Sequence, residues 1–147
     1  MKLVVQRVEK AKVVRVIDKK VVGEIGKGVF VLVGFKKGDS EKDIELSAEK
    51  LLKLRIMADG EGKMNLSVGD VDGGVLIVSQ FTLYANTKDG NRPSFIDAEE
   101  SEKARKLYEL FIEKLRVRGI KVETGSFGDY MKIESTLDGP VTIIYSD

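Results

Sequence analysis

The chain contains no cysteine and no histidine. Together these absences remove thiolate nucleophiles, disulfides, Cys or His zinc sites and the serine, histidine and aspartate triad. Tryptophan is also missing, proline occurs only twice, and 25 lysines and arginines face 24 aspartates and glutamates, a net charge of +1. So even a balance gives no overall field for nucleic acid, and a basic patch would have to be local. Long apolar runs are lacking too. The longest, 29–33, is far too short to cross a bilayer, and the opening MKLVVQRVEK has neither a long apolar stretch nor a small-residue cleavage site. The expectation is a cytoplasmic protein with no membrane association. An enzyme of this composition must work with Ser, Thr, Lys, Tyr, carboxylates, backbone amides, or groups that its substrate brings.

What is present is an ordinary globular balance, 42% hydrophobic and 33% charged over 147 residues, enough for one domain spanning 1–147 with a real core. The first third reads as short strands, KLVVQRV, AKVVRVI, VVGEI and GVFVLVGF, rich in Val and punctuated by Asp18, Gly23, Gly26 and Gly28, which suggests antiparallel hairpins. From Ser40 the period changes. Ile44, Ala48, Leu51 and Arg55 share a helical face, and Ser40 with Asp43 resembles a capping box, so a helix is predicted over 40–57. ADGEGK is a turn, MNLSV a short strand and GDVDGG a second turn before VLIVS.

After the loop NTKDGNRPSF, Asp97 with Glu100 predicts the cap of a second helix. Its buried stripe is Ala104, Leu107, Tyr108, Phe111 and Leu115, and it stops at Gly119. IKVET, YMKIEST and VTIIYS return to strand, the last two separated by LDGP. Strands and helices do not alternate as βαβ units do. The reading is therefore α+β, a mostly antiparallel, barrel-like β-sheet with two main helices packed outside, in a single domain. A closed barrel would also hide its strand edges.

Two stretches invite a chemical reading. VLIVSQFTLYA places Ser79, Gln80 and Thr82 among apolar neighbours, where a buried polar group without a partner costs on the order of 1 to 3 kcal/mol. Taken alone it is an amphipathic strand, with Ser79, Phe81 and Leu83 facing one way and Gln80, Thr82 and Tyr84 the other. DGPVT, 138–142, taken alone is a turn between strands. Taken together, with GNRPSF at 90–95, GKMN at 62–65, LRIM at 54–57 and VVQRV near the start, they resemble the D-aminoacyl-tRNA deacylases, in the expected order along the full chain. Leu137 stands where that family usually has asparagine, and FGDYM at 127–131 differs from the family's alanine and aspartate in its middle.

The resemblance implies a homodimer that hydrolyses the ester joining a D-amino acid, or glycine, to the terminal adenosine of mischarged tRNA; no cofactor is expected, and no ligand cluster suggests a metal. It implies that Ser79, Gln80, Phe81 and Thr82 line the catalytic pocket. Gly139 and Pro140, with the proline in cis, would reach across from the partner subunit and exclude L substrates. No base lies beside Thr82 in its motif, so the expectation is that the ribose hydroxyl next to the ester orients or activates water, with backbone amides near Gln80 and Phe81 holding the developing oxyanion.

Candidate tRNA contacts are Arg7, Lys88 and Arg92, with Arg15, Lys36 and Lys37, although any one surface charge is more often simply solvated; Arg7 could instead support the glycine–proline loop. The few aromatic residues are accounted for as core, and no base-stacking platform is expected. Two rivals remain from other classes. One is a non-enzymatic dimeric RNA-binding module on the same fold, separated by whether D-amino acid is released from charged tRNA. The other is an esterase that would turn over free D-aminoacyl esters as fast as charged tRNA.

Overall fold

Leu3, Val5, Val8, Ala11 and Val13, buried along residues 2–15, hold one unbroken strand where two were expected. The structure, a computed structural model, describes residues 1–146; Asp147, the last residue of the expected domain, lies outside the described residues. In chain order the elements are β1 (Lys2–Arg15), β2 (Lys20–Ile25), β3 (Gly28–Gly34), α1 (Glu41–Lys53), β4 (Met57–Ala58), β5 (Met64–Leu66), β6 (Gly74–Ser79), a 3₁₀ turn (Phe81–Tyr84), α2 (Ser101–Arg116), β7 (Lys121–Thr124) and β8 (Met131–Ser146).

β1 organises the sheet. On one side β2 and β3 pair with it end to end, antiparallel, from Arg15↔Lys20 to Lys2↔Gly34. On the other side β8 runs its full length, from Arg15↔Met131 to Lys2↔Ser146. YMKIEST and VTIIYS are thus one strand, and LDGP marks a break in register opposite Arg7 rather than a turn that ends it.

β3, β6 and β7 are parallel, so the sheet is mixed. The reason is connectivity. α1 and α2 each return the chain to the end of the sheet where the previous strand began, and two crossover units are present although the sequence did not suggest them. The sheet curls until β2 leans on β7: a Cβ at Gly23 would lie 2.4 Å from the Thr124 carbonyl oxygen, and the barrel is nearly closed there.

β3 and β6 are buried on both faces. Val29, Val31, Val33, Val75 and Ile77 meet α1 (Ile44, Ala48, Leu51) and α2 (Leu107, Phe111, Leu115), while Phe30, Leu76 and Val78 meet Val8, Ala11, Val13 and Ile25 on the opposite face. That double burial is why GVFVLV and VLIV read as continuous apolar runs.

Both helices are shorter than predicted. The Ser40–Asp43 capping box forms, but α1 stops at Lys53; Leu54 is extended, and Arg55, assigned to the buried face, is exposed and donates through Nε to the Asn65 carbonyl at 2.6 Å. The Asp97–Glu100 capping box does not form. The Asp97 carbonyl accepts from the Lys37 amide (3.0 Å), Ala98 bridges Lys36, and the Glu99 amide donates to the Phe35 carbonyl (3.0 Å), so α2 starts only at Ser101. Pairing with the chain leaving β3 takes these residues before a helix can. Among the described residues no helix is long and apolar enough to cross a membrane.

At the end of β3 the Met1 ammonium meets an Asp39 carboxylate oxygen at 2.9 Å, the two side chains 0% and 1% exposed, while the other carboxylate oxygen accepts from the Lys36 amide at 2.8 Å. Removing one partner of a buried pair leaves an uncompensated charge at about 3–5 kcal/mol. Asp39→Ala should therefore lower the unfolding free energy by roughly that amount in denaturant titration; a loss under about 1 kcal/mol would show that water reaches the pair.

Candidate active site

The last rung between β3 and β6 is the bond from the Gln80 amide to the Val33 carbonyl, 2.7 Å. Beyond it the chain tightens: the Leu83 amide donates to the Gln80 carbonyl (3.3 Å) and the Ala85 amide to the Thr82 carbonyl (3.0 Å). The amphipathic strand expected through Tyr84 therefore ends at Ser79, and the alternating faces assigned to Phe81 through Tyr84 do not exist. Gly34 makes the turn possible. A Cβ there would sit 2.9 Å from the Gln80 carbonyl oxygen and 3.2 Å from the Leu83 Cβ, so the turn rests on bare backbone.

The turn explains the polar residues that looked misplaced in an apolar strand. Ser79 and Gln80 are half-buried, and Phe81 and Thr82 are exposed. The Gln80 side-chain amide donates to the Thr82 hydroxyl oxygen. The Gln80 main-chain amide, lying in the stretch expected to supply oxyanion donors, is spent on Val33. No backbone acceptor among the described residues takes the amides of Phe81 or Thr82, as is usual for the first N–H groups of any helical turn.

Ser79, Gln80 and Phe81 line one end of a cleft of about 670 Å³. Thr82 lies beside it, outside the lining. Phe81, 56% exposed, meets Phe95 edge to face, with centroids 5.1 Å apart. Phe95 follows the Asn86–Ser94 bridge, whose two amide–carbonyl bonds are each 2.8 Å, so the loop carrying Lys88 and Arg92 is tied at its base to the cleft. Lys88 and Arg92 themselves stay exposed on that loop, away from the lining.

The remaining walls were not legible as site residues: Phe35, Ala98 and Glu99 on one side, and 127–131 with Ile133 on the other. Glu99 is held below the usual carboxylate range, first by the hydrogen bond from Lys103 (2.7 Å), and is a poor base near neutral pH. Tyr108, behind the cleft, donates to the Ile77 carbonyl at 2.9 Å, and burial pushes its hydroxyl up, out of reach as an acid. Among the described residues no group of three or more carboxylates is placed to hold a metal ion. Tyr130, 78% exposed at the cleft, and Phe81 correct the reading of every aromatic as core.

Gly139 and Pro140 are joined by a cis peptide bond and lie exposed on β8, away from the lining of their own chain's cleft. Arg7, its side chain 11% exposed, reaches this segment: Nε is 3.2 Å from the Asp138 carbonyl and 3.0 Å from its carboxylate, and Nη1 donates to the Ile56 carbonyl at 2.8 Å. Leu137 carries no hydrogen-bonding side chain, and Arg7 with Asp138 ties the segment instead. Arg15 is engaged with Asp18 at 2.6 Å and Asp129 at 3.6 Å. Its hydrogen bond lowers the Asp18 carboxyl to about 2. Lys36 and Lys37 flank the cleft through the Ala98 bridge and the Asp97 bond.

The sequence profile of the family described as D-Tyr-tRNA(Tyr) deacylase matches residues 4–146. A D-aminoacyl-tRNA deacylase of Thermosipho melanesiensis is 52% identical over 145 residues, covering 98% of this chain and 95% of that protein. One from Aquifex aeolicus is 52% identical over 144 residues, covering 98% and 96%. Among solved structures, one named c-Myc DNA Unwinding Element Binding Protein superposes with a TM-score of 0.93 at 39% identity, over 100% of this chain and 99% of the other. A probable eukaryotic D-amino acid tRNA deacylase, at 20% identity and a TM-score of 0.85 over 98% and 97%, shares the fold.

Gly34→Ala should lift the 3₁₀ turn off β3. In an amide correlation spectrum the shifts of Phe81 and Thr82 should move more than those of Val75 through Val78; equal or smaller movement at the turn would show that its seat is not this contact.

Proposed function

The chain belongs to the D-Tyr-tRNA(Tyr) deacylase family, and on that premise we propose that it hydrolyses the ester between a D-amino acid, or glycine, and the 3′-terminal adenosine of tRNA, releasing both. The observation that carries the reading is the SQFT turn at the end of a cleft, in a chain about half identical over nearly its whole length to proteins named for this activity.

The chemistry follows from what the cleft holds. The ester carbonyl lies against the turn, where the amides of Phe81 and Thr82 face the oxygen as it takes up charge; one such donor is worth about 2.7 to 4 kcal/mol. Thr82 receives its hydrogen bond from an amide, which is no base, and Glu99 is too acidic for that role. The neighbouring ribose hydroxyl of the substrate orients the attacking water instead. The proton lost by water passes to the leaving ribose oxygen, and free amino acid and tRNA separate.

The working unit is a homodimer. Among the described residues β8 pairs only with β1, and it exposes Ile133, Leu137 and Ile144 at 38%, 43% and 68%, the kind of edge that pairs or is covered. Because Gly139 and Pro140 stand apart from their own cleft, they serve the partner's. Their carbonyls fill the space that an L side chain needs, and Arg7 positions them through Asp138. Steric exclusion cannot reject glycine, so glycyl-tRNA is a substrate too. Lys36, Lys37, Lys88 and Arg92, around the cleft or on the loop tied to it, take phosphates of the acceptor end.

Two measurements test this. Thr82→Ala should keep turnover within about tenfold, while a D-aminoacyl-tRNA ending in 2′-deoxyadenosine should lose at least about a hundredfold, a barrier change near 2.7 kcal/mol; loss in the variant with full activity on the deoxy substrate would make Thr82 the nucleophile. Purified dimer should hydrolyse D-tyrosyl-tRNA and glycyl-tRNA and leave L-tyrosyl-tRNA intact. Similar rates on both tyrosyl enantiomers would end the gate, and binding of charged tRNA without release of amino acid would leave an RNA-binding module.

A further inference from the structure

Tyr130 is a surface aromatic carried on a backbone fixed by neighbouring bonds. Its carbonyl accepts from the Val16 amide at 2.9 Å, fixing the backbone to the end of β1. The turn before it is closed by the Asp129 amide on the Ser126 carbonyl (3.3 Å) and by the hydroxyl of Ser126 on the Asp129 carboxylate. Yet the residue is 78% exposed and lines the cleft. Among the described residues its ring meets no other ring or cation and its hydroxyl has no hydrogen-bond partner. Phe127, three residues earlier, is already occupied by the Arg105 guanidinium (4.6 Å) and the Tyr108 ring (5.5 Å).

An open aromatic face at the rim of a cleft, on a backbone fixed in place, is a surface on which a flat partner can stack. We propose that Tyr130 is a substrate-positioning residue that stacks the base of the nucleotide preceding the terminal adenosine. The inference rests on the reading of the cleft as the site of an aminoacyl-tRNA ester. An RNA strand whose last nucleoside enters the cleft must pass its preceding nucleotide over the rim, and single-stranded ends are held by stacking on aromatic rings. Every base has such a face, so this contact serves any charged tRNA alike and adds no preference for the amino acid.

One base–aromatic stack changes affinity by about tenfold. The test compares D-tyrosyl-tRNA with D-tyrosyl-adenosine, which lacks the preceding nucleotide. Tyr130→Ala should shrink the ratio of their kcat/KM values about tenfold, mainly through KM for the tRNA, while Tyr130→Phe and Tyr130→Trp keep the ratio. A role confined to folding or to cleft shape would lower both substrates together and leave the ratio unchanged, which would overturn the proposal.

A second readout needs no hydrolysis: the affinity of the trinucleotide cytidine–cytidine–adenosine relative to adenosine alone. The wild type should prefer the trinucleotide, and Tyr130→Ala should lose that preference; an equal preference in both proteins refutes the stack. Should the preference behave as expected while the wild type hydrolyses no D-aminoacyl-tRNA, the stacking role stands and the deacylase reading falls.

Discussion

The single rung from the Gln80 amide to the Val33 carbonyl governs the site, because it ends the parallel pairing of β3 and β6 where the chain can drop onto Gly34. Had the ladder continued, Phe81 and Thr82 would have given their amides to a neighbouring strand. Stopping it leaves two N–H groups unspent at the end of a cleft, held by strands buried on both faces. In the proposed mechanism the rigidity that electrostatic stabilisation requires would come from the β3–β6 pair, and the donors from its interruption.

A chain without histidine or cysteine lacks the commonest side-chain base and the most reactive nucleophile, so position carries more of the reactivity. Of the carboxyl and hydroxyl groups near the cleft, Glu99 is tied to Lys103, Asp129 to Ser126 and Arg15, and Tyr108 to the Ile77 carbonyl. The proposed mechanism therefore relies on main-chain donors at the turn and on the substrate's own hydroxyl next to the bond that breaks.

β8 links the two halves of the proposal. Its inner edge is paired along β1, no other strand among the described residues pairs with it, and the break in its register opposite Arg7 presents Gly139 and Pro140 outward. Arg7, almost wholly inside, donates to the Asp138 and Ile56 carbonyls, so the segment proposed to serve a partner is braced from within its own chain. Tyr130 just precedes the same strand. One edge strand thus bears the residues proposed to sort the amino acid and leads from the one proposed to seat the RNA end.

Much of this was legible beforehand. The capping box at Ser40, the buried stripe of α2, the Val-rich strands and the two motifs that mark the family are local patterns, set by residue type and spacing within a few positions. Legibility failed wherever a distant partner outbid a local preference. Asp97 could have capped a helix, but residues 97–99 pair with the chain leaving β3 and Glu100 takes the cap position without a side-chain bond. Residues 81–84 could have continued a strand but fold onto Gly34. Tyr130 could have been core but is held outward by a turn and by Val16. The sequence alone determined the α+β class, the family and the chemistry open to a chain lacking histidine and cysteine, because those depend on composition and short-range order. Which amides stay free, which aromatic faces the cleft and where the glycine–proline pair points were decided only in three dimensions, because each depends on backbone groups brought together from separate parts of the chain.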